Sequence, residues 1–293
     1  MTLMLNKITY LTPIVLGCIL THFGYASDFQ SPRTAALGGA GHASPLLSDS
    51  IYLNPSFASF TKTHSLSTNY LKYDGGTTTT PEGGITDYYG HNLNISVLDG
   101  TPDSIFQAGV GYTRREDASL IHVGASKNFF QDVGIGIGSK FILPNNGTGE
   151  RLVDATFSLS GLATSWFQAS VVIDNIIGSA KNLGFYREYI LGTKFNVDSI
   201  VLVYLDPHII SGSDQGSLFG YEAGIEFPFF SEVFLRVGTF RNAMIPHEAQ
   251  KIGSGYGLGL GWIGPKLSID YSFSRVTEGI PIFAHNFGFT IFF

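Results

Sequence analysis

Charge is scarce in this 293-residue chain: Asp, Glu, Lys and Arg make up 14% of it, with a net charge of -6. The balance is acidic and no run of Lys and Arg occurs, so the electrostatic footprint of a nucleic-acid binder is missing. A single cysteine, Cys18, excludes a disulfide framework. Beyond Phe23 there is no apolar run of about twenty residues, which excludes a spanning helix there. Catalytic patterns are missing too. The eight histidines are scattered (His42, His64, His91, His122 and others), with no His-Glu-x-x-His and no Gly-x-Ser-x-Gly. "GIGIGSK" is no phosphate loop, because Gly138 and Lys140 are not adjacent and a strand follows. The reading is of a protein that is not an enzyme, with no cofactor and no metal site.

Glycine and aromatics are abundant: 36 glycines, 24 phenylalanines and 14 tyrosines. The opening carries Lys7, an apolar stretch from Ile8 to Phe23 and the small-residue site Gly24, Tyr25, Ala26 before Ser27. That layout predicts a secretory signal peptide over residues 1–26. The competing reading is a lipoprotein signal at "VLGC", with Cys18 as the anchor, although Leu16 and the apolar Ile19 and Leu20 fit it poorly.

From about residue 63 onwards, segments of roughly ten residues alternate apolar and polar, the length a tilted strand needs to cross a bilayer. "GYGLGLGWIG" puts Tyr256, Leu258, Leu260 and Trp262 on one face and glycine on the other. "KLSIDYSFSR" sets Leu267, Ile269, Tyr271 and Phe273 against Lys266, Ser268, Asp270 and Ser272. Large apolar residues on one face, with glycine and ionisable groups on the other, fit a barrel with lipid outside and a polar lumen inside. The breaks alternate in length, from long "DGGTTTTPEGGITDYY" through short "DGTPD" to long "PHIISGSDQGSL", short "PFFS" and long "RNAMIPHEAQKIGS". Short "RRED" is the exception. Short periplasmic turns and longer external loops produce that alternation. Residues 63–293 are therefore predicted to be an all-β, transmembrane antiparallel β-barrel of about fourteen strands.

With the apolar face outward, Lys140, Asp154, Asp174, Lys194, Glu222, Glu226, Arg236, Lys266 and Asp270 are expected to line the lumen. A less polar inner patch is expected from Val172, Ile190, Val201, Val203, Leu205, Phe234 and Phe240. It would either guide a hydrophobic molecule or pack Tyr52, Leu53 and Phe57 of the preceding segment. The closing "HNFGFTIFF" presents Phe287, Phe289, Ile291 and Phe293 to lipid.

Residues 27–62 break the strand pattern. They are rich in small residues yet carry Leu37, Leu46, Leu47, Ile51, Tyr52, Leu53, Phe57 and Phe60, too apolar for a solvated linker. A barrel wider than about eight strands cannot fill itself with side chains, so this segment is predicted to be a hatch in the lumen.

"RTAALGGAGHA", then Asp49, then "YLNPSFASF" resembles the N-terminal hatch of the FadL superfamily of outer-membrane barrels. The positions carrying the likeness are Arg33, Gly38, Gly39, Gly41, Asp49, Asn54 and Pro55, with Ser56 standing where the family usually has alanine. "VVIDNIIGS", "VFLRVGTFR" and "AHNFGFTIFF" resemble later strand motifs of the same family, and the last resembles the aromatic C-terminal signal, ending in Phe293, that the barrel assembly machinery reads. The resemblance implies fourteen strands, outer-membrane lipid around them in a Gram-negative bacterium, and passage of a hydrophobic small molecule. The chain is shorter than the fatty-acid transporters and closer to the PorV-like branch. That branch implies the alternative: a structural or secretion-associated barrel that binds a protein partner without transporting a ligand.

Overall fold

A computed structural model describes residues 29–79, 85–101, 104–129, 131–145, 149–213, 216–230, 232–245, 252–278 and 281–293. The predicted signal peptide, with Cys18, lies outside the described residues. Fourteen strands are formed: β1 (Ser65–Thr79), β2 (Ile85–Asp99), β3 (Gln107–Arg114), β4 (Ala118–Phe129), β5 (Val133–Pro144), β6 (Leu152–Gly161), β7 (Phe167–Asp174), β8 (Arg187–Val197), β9 (Val201–Ser213), β10 (Gly216–Phe229), β11 (Val233–Met244), β12 (Ile252–Ile263), β13 (Leu267–Val276) and β14 (Phe283–Phe292). Each pairs with its sequence neighbours, and β1 also pairs antiparallel with β14, closing a transmembrane barrel. Closure removes the unpaired edges that hydrocarbon cannot satisfy. No helix among the described residues is long and apolar enough to cross a membrane.

Alternation decides which way each strand faces. On β12, Leu258 and Leu260 are 47% and 50% exposed, while Gly257 and Gly261 are buried. On β14, Phe287 and Phe289 point out while Asn286 and Thr290 are buried. An apolar belt of this extent on the outside needs lipid to cover it. Ser65 lies opposite Phe292 on one side and Leu98 on the other, so the strand array starts and finishes at one end, called proximal below.

Two of the predicted long loops are largely strand. β1 runs through Thr79 and β2 begins at Ile85, paired as far as Thr79 with Ile85 beyond a register shift at Asp74/Thr77. β9 runs to Ser213 and β10 starts at Gly216, so most of "PHIISGSDQGSL" is ladder. Where strands rise past the apolar belt, nothing enforces an apolar outer face, and Thr- and Gly-rich stretches read as loop although the backbone bonds continue.

Inside the barrel lie α1 (Pro32–Ala36), α2 (Ser50–Leu53) and 3-10 turns at Leu47–Asp49 and Pro55–Phe60. Helices this short are not stable by themselves; the wall holds them. α1 packs on β12 and β13, Leu47–Asp49 on β1 and β2, α2 on β3 and β4, and Pro55–Phe60 on β4, β5 and β6. The hatch thus runs around the inner wall rather than plugging it at one point. Inner-face glycines are its seats: a Cβ on Gly257 would overlap the Ala35 carbonyl oxygen, and one on Gly238 the backbone of Leu37.

Apolar clusters occupy part of the distal lumen, beside buried charged groups such as Arg115, Lys140 and Glu188. Leu71, Tyr73, Phe240, Val276 and Ile282 form one buried cluster, Tyr186, Ile210 and Met244 a second, and Leu120, Ile142 and Phe185 a third.

Candidate functional site

Between the hatch and the wall lie two ionic anchors, and each begins with local hatch geometry. Ser31 caps α1 in a capping box with Thr34, and Pro32 occupies the first turn, where its missing N–H costs nothing. The cap sets the direction of Arg33. Its Nε donates to Glu226 Oε2 at 3.1 Å, one terminal nitrogen to the Ser44 carbonyl at 2.9 Å, and the other to the Tyr204 hydroxyl at 2.6 Å. Arg236 Nε donates to the same Glu226 oxygen at 2.6 Å, and its Nη1 to Asp270 Oδ1 at 2.5 Å. Two guanidiniums thus meet two carboxylates, all four side chains buried. Asp49 lies near this group; burial, with Asp270 acting the same way, outweighs its hydrogen bond to Ser31 and the nearby Arg33 and pushes it up to about 7.

The second anchor is built from β8, β9, β10 and the turn after α1. Gly38, Gly39 and Gly41 have positive φ (69°, 95° and 138°), a path that glycine takes without strain. The turn brings the backbone N–H groups of Gly41 and His42 to Asp206 Oδ2 at 2.8 and 2.9 Å, with His42 Nδ1 2.9 Å from the same oxygen. Glu222 Oε2 lies 3.8 Å from His42 Nδ1, and Glu188 Oε1 lies 3.6 Å from His208 Nδ1. Burial, the largest influence on His42, acts to lower its pKa. The bond to Asp206 and the charges of Asp206, Glu222 and Glu188 outweigh it and raise the imidazole to about 9.

Away from the hatch, Lys140 pairs with Asp174 and lies 3.2 Å from Asn175 Oδ1. Asp154 accepts from the backbone of Ile177 and Gly178 at 2.9 and 3.0 Å, tying down the β7–β8 connection. Lys194 Nζ reaches Ser44 Oγ at 3.1 Å. Asn54 donates to the His42 carbonyl at 2.6 Å and to Ser160 Oγ at 2.8 Å, and Pro55 packs over Gly136 and Gly138. Ser56 uses its additional hydroxyl, donating to Asn54 Oδ1 at 2.6 Å.

Several expected lumen residues lie elsewhere. Leu205 is 43% exposed on the outer face, and Val201 and Val203 share that face; the inward residues of β9 are Leu202, Tyr204, Asp206, His208 and Ile210. Both faces of this strand are rich in apolar residues, so hydrophobicity leaves its phase open. Lys266 is exposed in the β12–β13 turn rather than in the lumen. Val172, Ile190 and Phe240 are buried on the inner face, and Phe234 shares the face of Arg236, its ring 5.5 Å from that guanidinium. Phe293 is 71% exposed, with its backbone bonded to that of His64 in both directions. Glu188, Asp206 and His208 are absent from the sequence-based site; the Asp-x-His spacing on one strand face was the available signal.

The closed wall, the outer apolar belt and the ion-paired segment inside define a hatch-containing transmembrane β-barrel. No family model matches the sequence, and no curated protein does. Among solved structures the chain is similar to the CymD monoaromatic hydrocarbon channel, with TM-score 0.66 and 12% identity over 94% of this chain and 99% of that one. A Pseudomonas aeruginosa FadL homologue gives TM-score 0.65 and 10% identity over 92% and 99%. The Ralstonia pickettii toluene transporter TbuX gives 0.63 and 10% over 91% and 99%. The fold is therefore that of FadL-type channels.

Proposed function

We propose that the protein sits in the outer membrane of a Gram-negative bacterium and passes small hydrophobic compounds. The observation that carries this reading is the apolar cluster on one side of the distal lumen, between β1, β11, β13 and β14. Leu71, Tyr73, Phe240, Val276 and Ile282 are buried together on the distal side of the charged layer, where a pore for polar solutes would present polar groups. The similar structures named as hydrocarbon and toluene channels support the same class of cargo. The partner-binding alternative finds no support among them.

An open groove of about 390 Å³ lies on the wall at this level, where Arg241, Thr277 and Glu278 share its lining with Tyr221, Phe240 and Tyr256. It lies beside the β11–β12 register shift between Phe240 and Ala243, where Asn242 has φ 51°. An enclosed apolar cavity of about 150 Å³ accommodates benzene; the hatch-side cavities of about 30 and 10 Å³ are too small for a ring. Phe240→Asp is expected to reduce toluene uptake into cells at least severalfold, with the barrel still showing heat-modifiable migration. Unchanged uptake by a folded variant would sink the reading.

A further inference from the structure

We infer that the second anchor is a divalent transition-metal site, with His42, Asp206 and Glu222 as its protein ligands. On β9 and β10, Asp206 and Glu222 are direct cross-strand partners, and both are buried. Like charges placed opposite each other destabilise a sheet, and Glu188 adds a third carboxylate to the same patch. No Lys or Arg among the described residues forms an ion pair with any of the three. Against three carboxylates stand two imidazoles, so even with both protonated the patch is one positive charge short.

The donor geometry fits a metal ion. His42 Nδ1, an Asp206 oxygen and a Glu222 oxygen all lie within 4.8 Å of one another. Around a tetrahedral ion with bonds of about 2.0–2.1 Å, ligand atoms are about 3.3 Å apart; the observed 2.9 and 3.8 Å from His42 Nδ1 straddle that value. Imidazole with carboxylate suits Zn²⁺ and its neighbours in the first transition row.

An unpartnered atom marks the same place independently. Glu222 Oε2 is buried with no hydrogen-bond partner, at a residue 9% exposed. A cavity of about 30 Å³, lined in part by His42, Glu188 and Glu222, adjoins it. Binding displaces the proton that His42 shares with Asp206, so affinity falls with pH. Because His42 belongs to the hatch and the other ligands to the wall, the ion fastens one to the other.

The test uses full-length protein in detergent, without a polyhistidine tag, stripped with EDTA and titrated with Zn²⁺ by calorimetry and with Co²⁺ by visible absorption. One equivalent of Zn²⁺ is expected, and Co²⁺ bands of a four- or five-coordinate site with a nitrogen ligand. Glu222→Gln and Asp206→Asn should each weaken Zn²⁺ binding at least about tenfold. His91→Gln, which removes an exposed histidine beside Glu116, should leave it unchanged. A wild type that takes up no Zn²⁺ overturns the site and leaves protons on the histidines as the compensating charge. Binding that survives both inner-face substitutions, or is lost in His91→Gln, overturns it equally by locating the ion at the surface. The Co²⁺ spectrum reads the wild type alone and stands even if a variant fails to fold; purely octahedral aquo-like bands count against the site.

Discussion

The two anchors hold the same hatch to the same wall, yet they balance charge in different ways. Around Arg33 the books close internally: Arg33 and Arg236 face Glu226 and Asp270, and each guanidinium bonds a carboxylate directly. Around His42 they do not: three carboxylates meet only imidazoles, and Glu222 Oε2, like Arg236 Nη2 in the first anchor, has no hydrogen-bond partner. Arginine stays charged at any physiological pH and offers a rigid fork, whereas histidine's charge depends on its surroundings. One anchor is thus a permanent fastening, and the other depends on what occupies it.

Removing a partner from the self-balanced anchor should have the largest effect. Arg33→Met leaves Glu226 and Tyr204 buried without the hatch cation and is expected to cost about 3–5 kcal/mol. Urea unfolding in lipid vesicles would measure it, and trypsin should reach the hatch while the barrel stays resistant. A loss below 1 kcal/mol would make the two anchors equivalent. The second anchor should respond with a change of sign. Glu222→Gln removes one carboxylate from an uncompensated set, so metal-free protein should be unchanged or slightly stabilised. At Zn²⁺ a hundredfold above its Kd the wild type gains about 2.7 kcal/mol, most of which the variant should forgo. The same pair of melts on Glu226→Gln should show destabilisation with or without Zn²⁺.

The first anchor was largely legible in the sequence. Glu226, Arg236 and Asp270 each interrupt an otherwise apolar–glycine alternation, which marks them as inward, and Arg33 stands inside a recognisable hatch motif. The pairing of Arg33 with Glu226 needed the register. The second anchor was not legible, because His42 looked like one of several scattered histidines, and Glu188, Asp206, His208 and Glu222 meet only through the β8–β9–β10 register. The phase of β9 was misread for a related reason. "VLVYLDPHII" is apolar on both faces, since Leu202 packs against Leu37 and Tyr204 inside while Leu205 and Ile209 face outward. The polar pair Asp206 and His208 carried the phase, and hydrophobicity pointed the other way. The inner-face glycines of β11 and β12 alternate with apolar residues in the sequence, and only the structure shows that they seat the hatch backbone.

The last test concerns Asp49, beside the first anchor. If it were ionised, three carboxylates would face two guanidiniums there and the balance would fail. Burial, with Asp270 reinforcing it, lifts its pKa from an ordinary 3.8 to about 7. A carboxyl raised in the folded state binds its proton more tightly there than in the unfolded chain. Its contribution to stability is complete below the ordinary value and is lost as pH rises towards 7, at up to about 1.4 kcal/mol per pH unit. Asp49→Asn imitates the protonated form, so the difference in unfolding free energy between variant and wild type should grow from pH 4 to pH 7 in the variant's favour and level off above pH 8. Taking the difference cancels the titration of every other group common to both proteins. A difference that stays flat from pH 4 to pH 8 would mean that Asp49 is ionised throughout, and the Arg33 anchor would then carry an excess charge of its own, as the His42 anchor does.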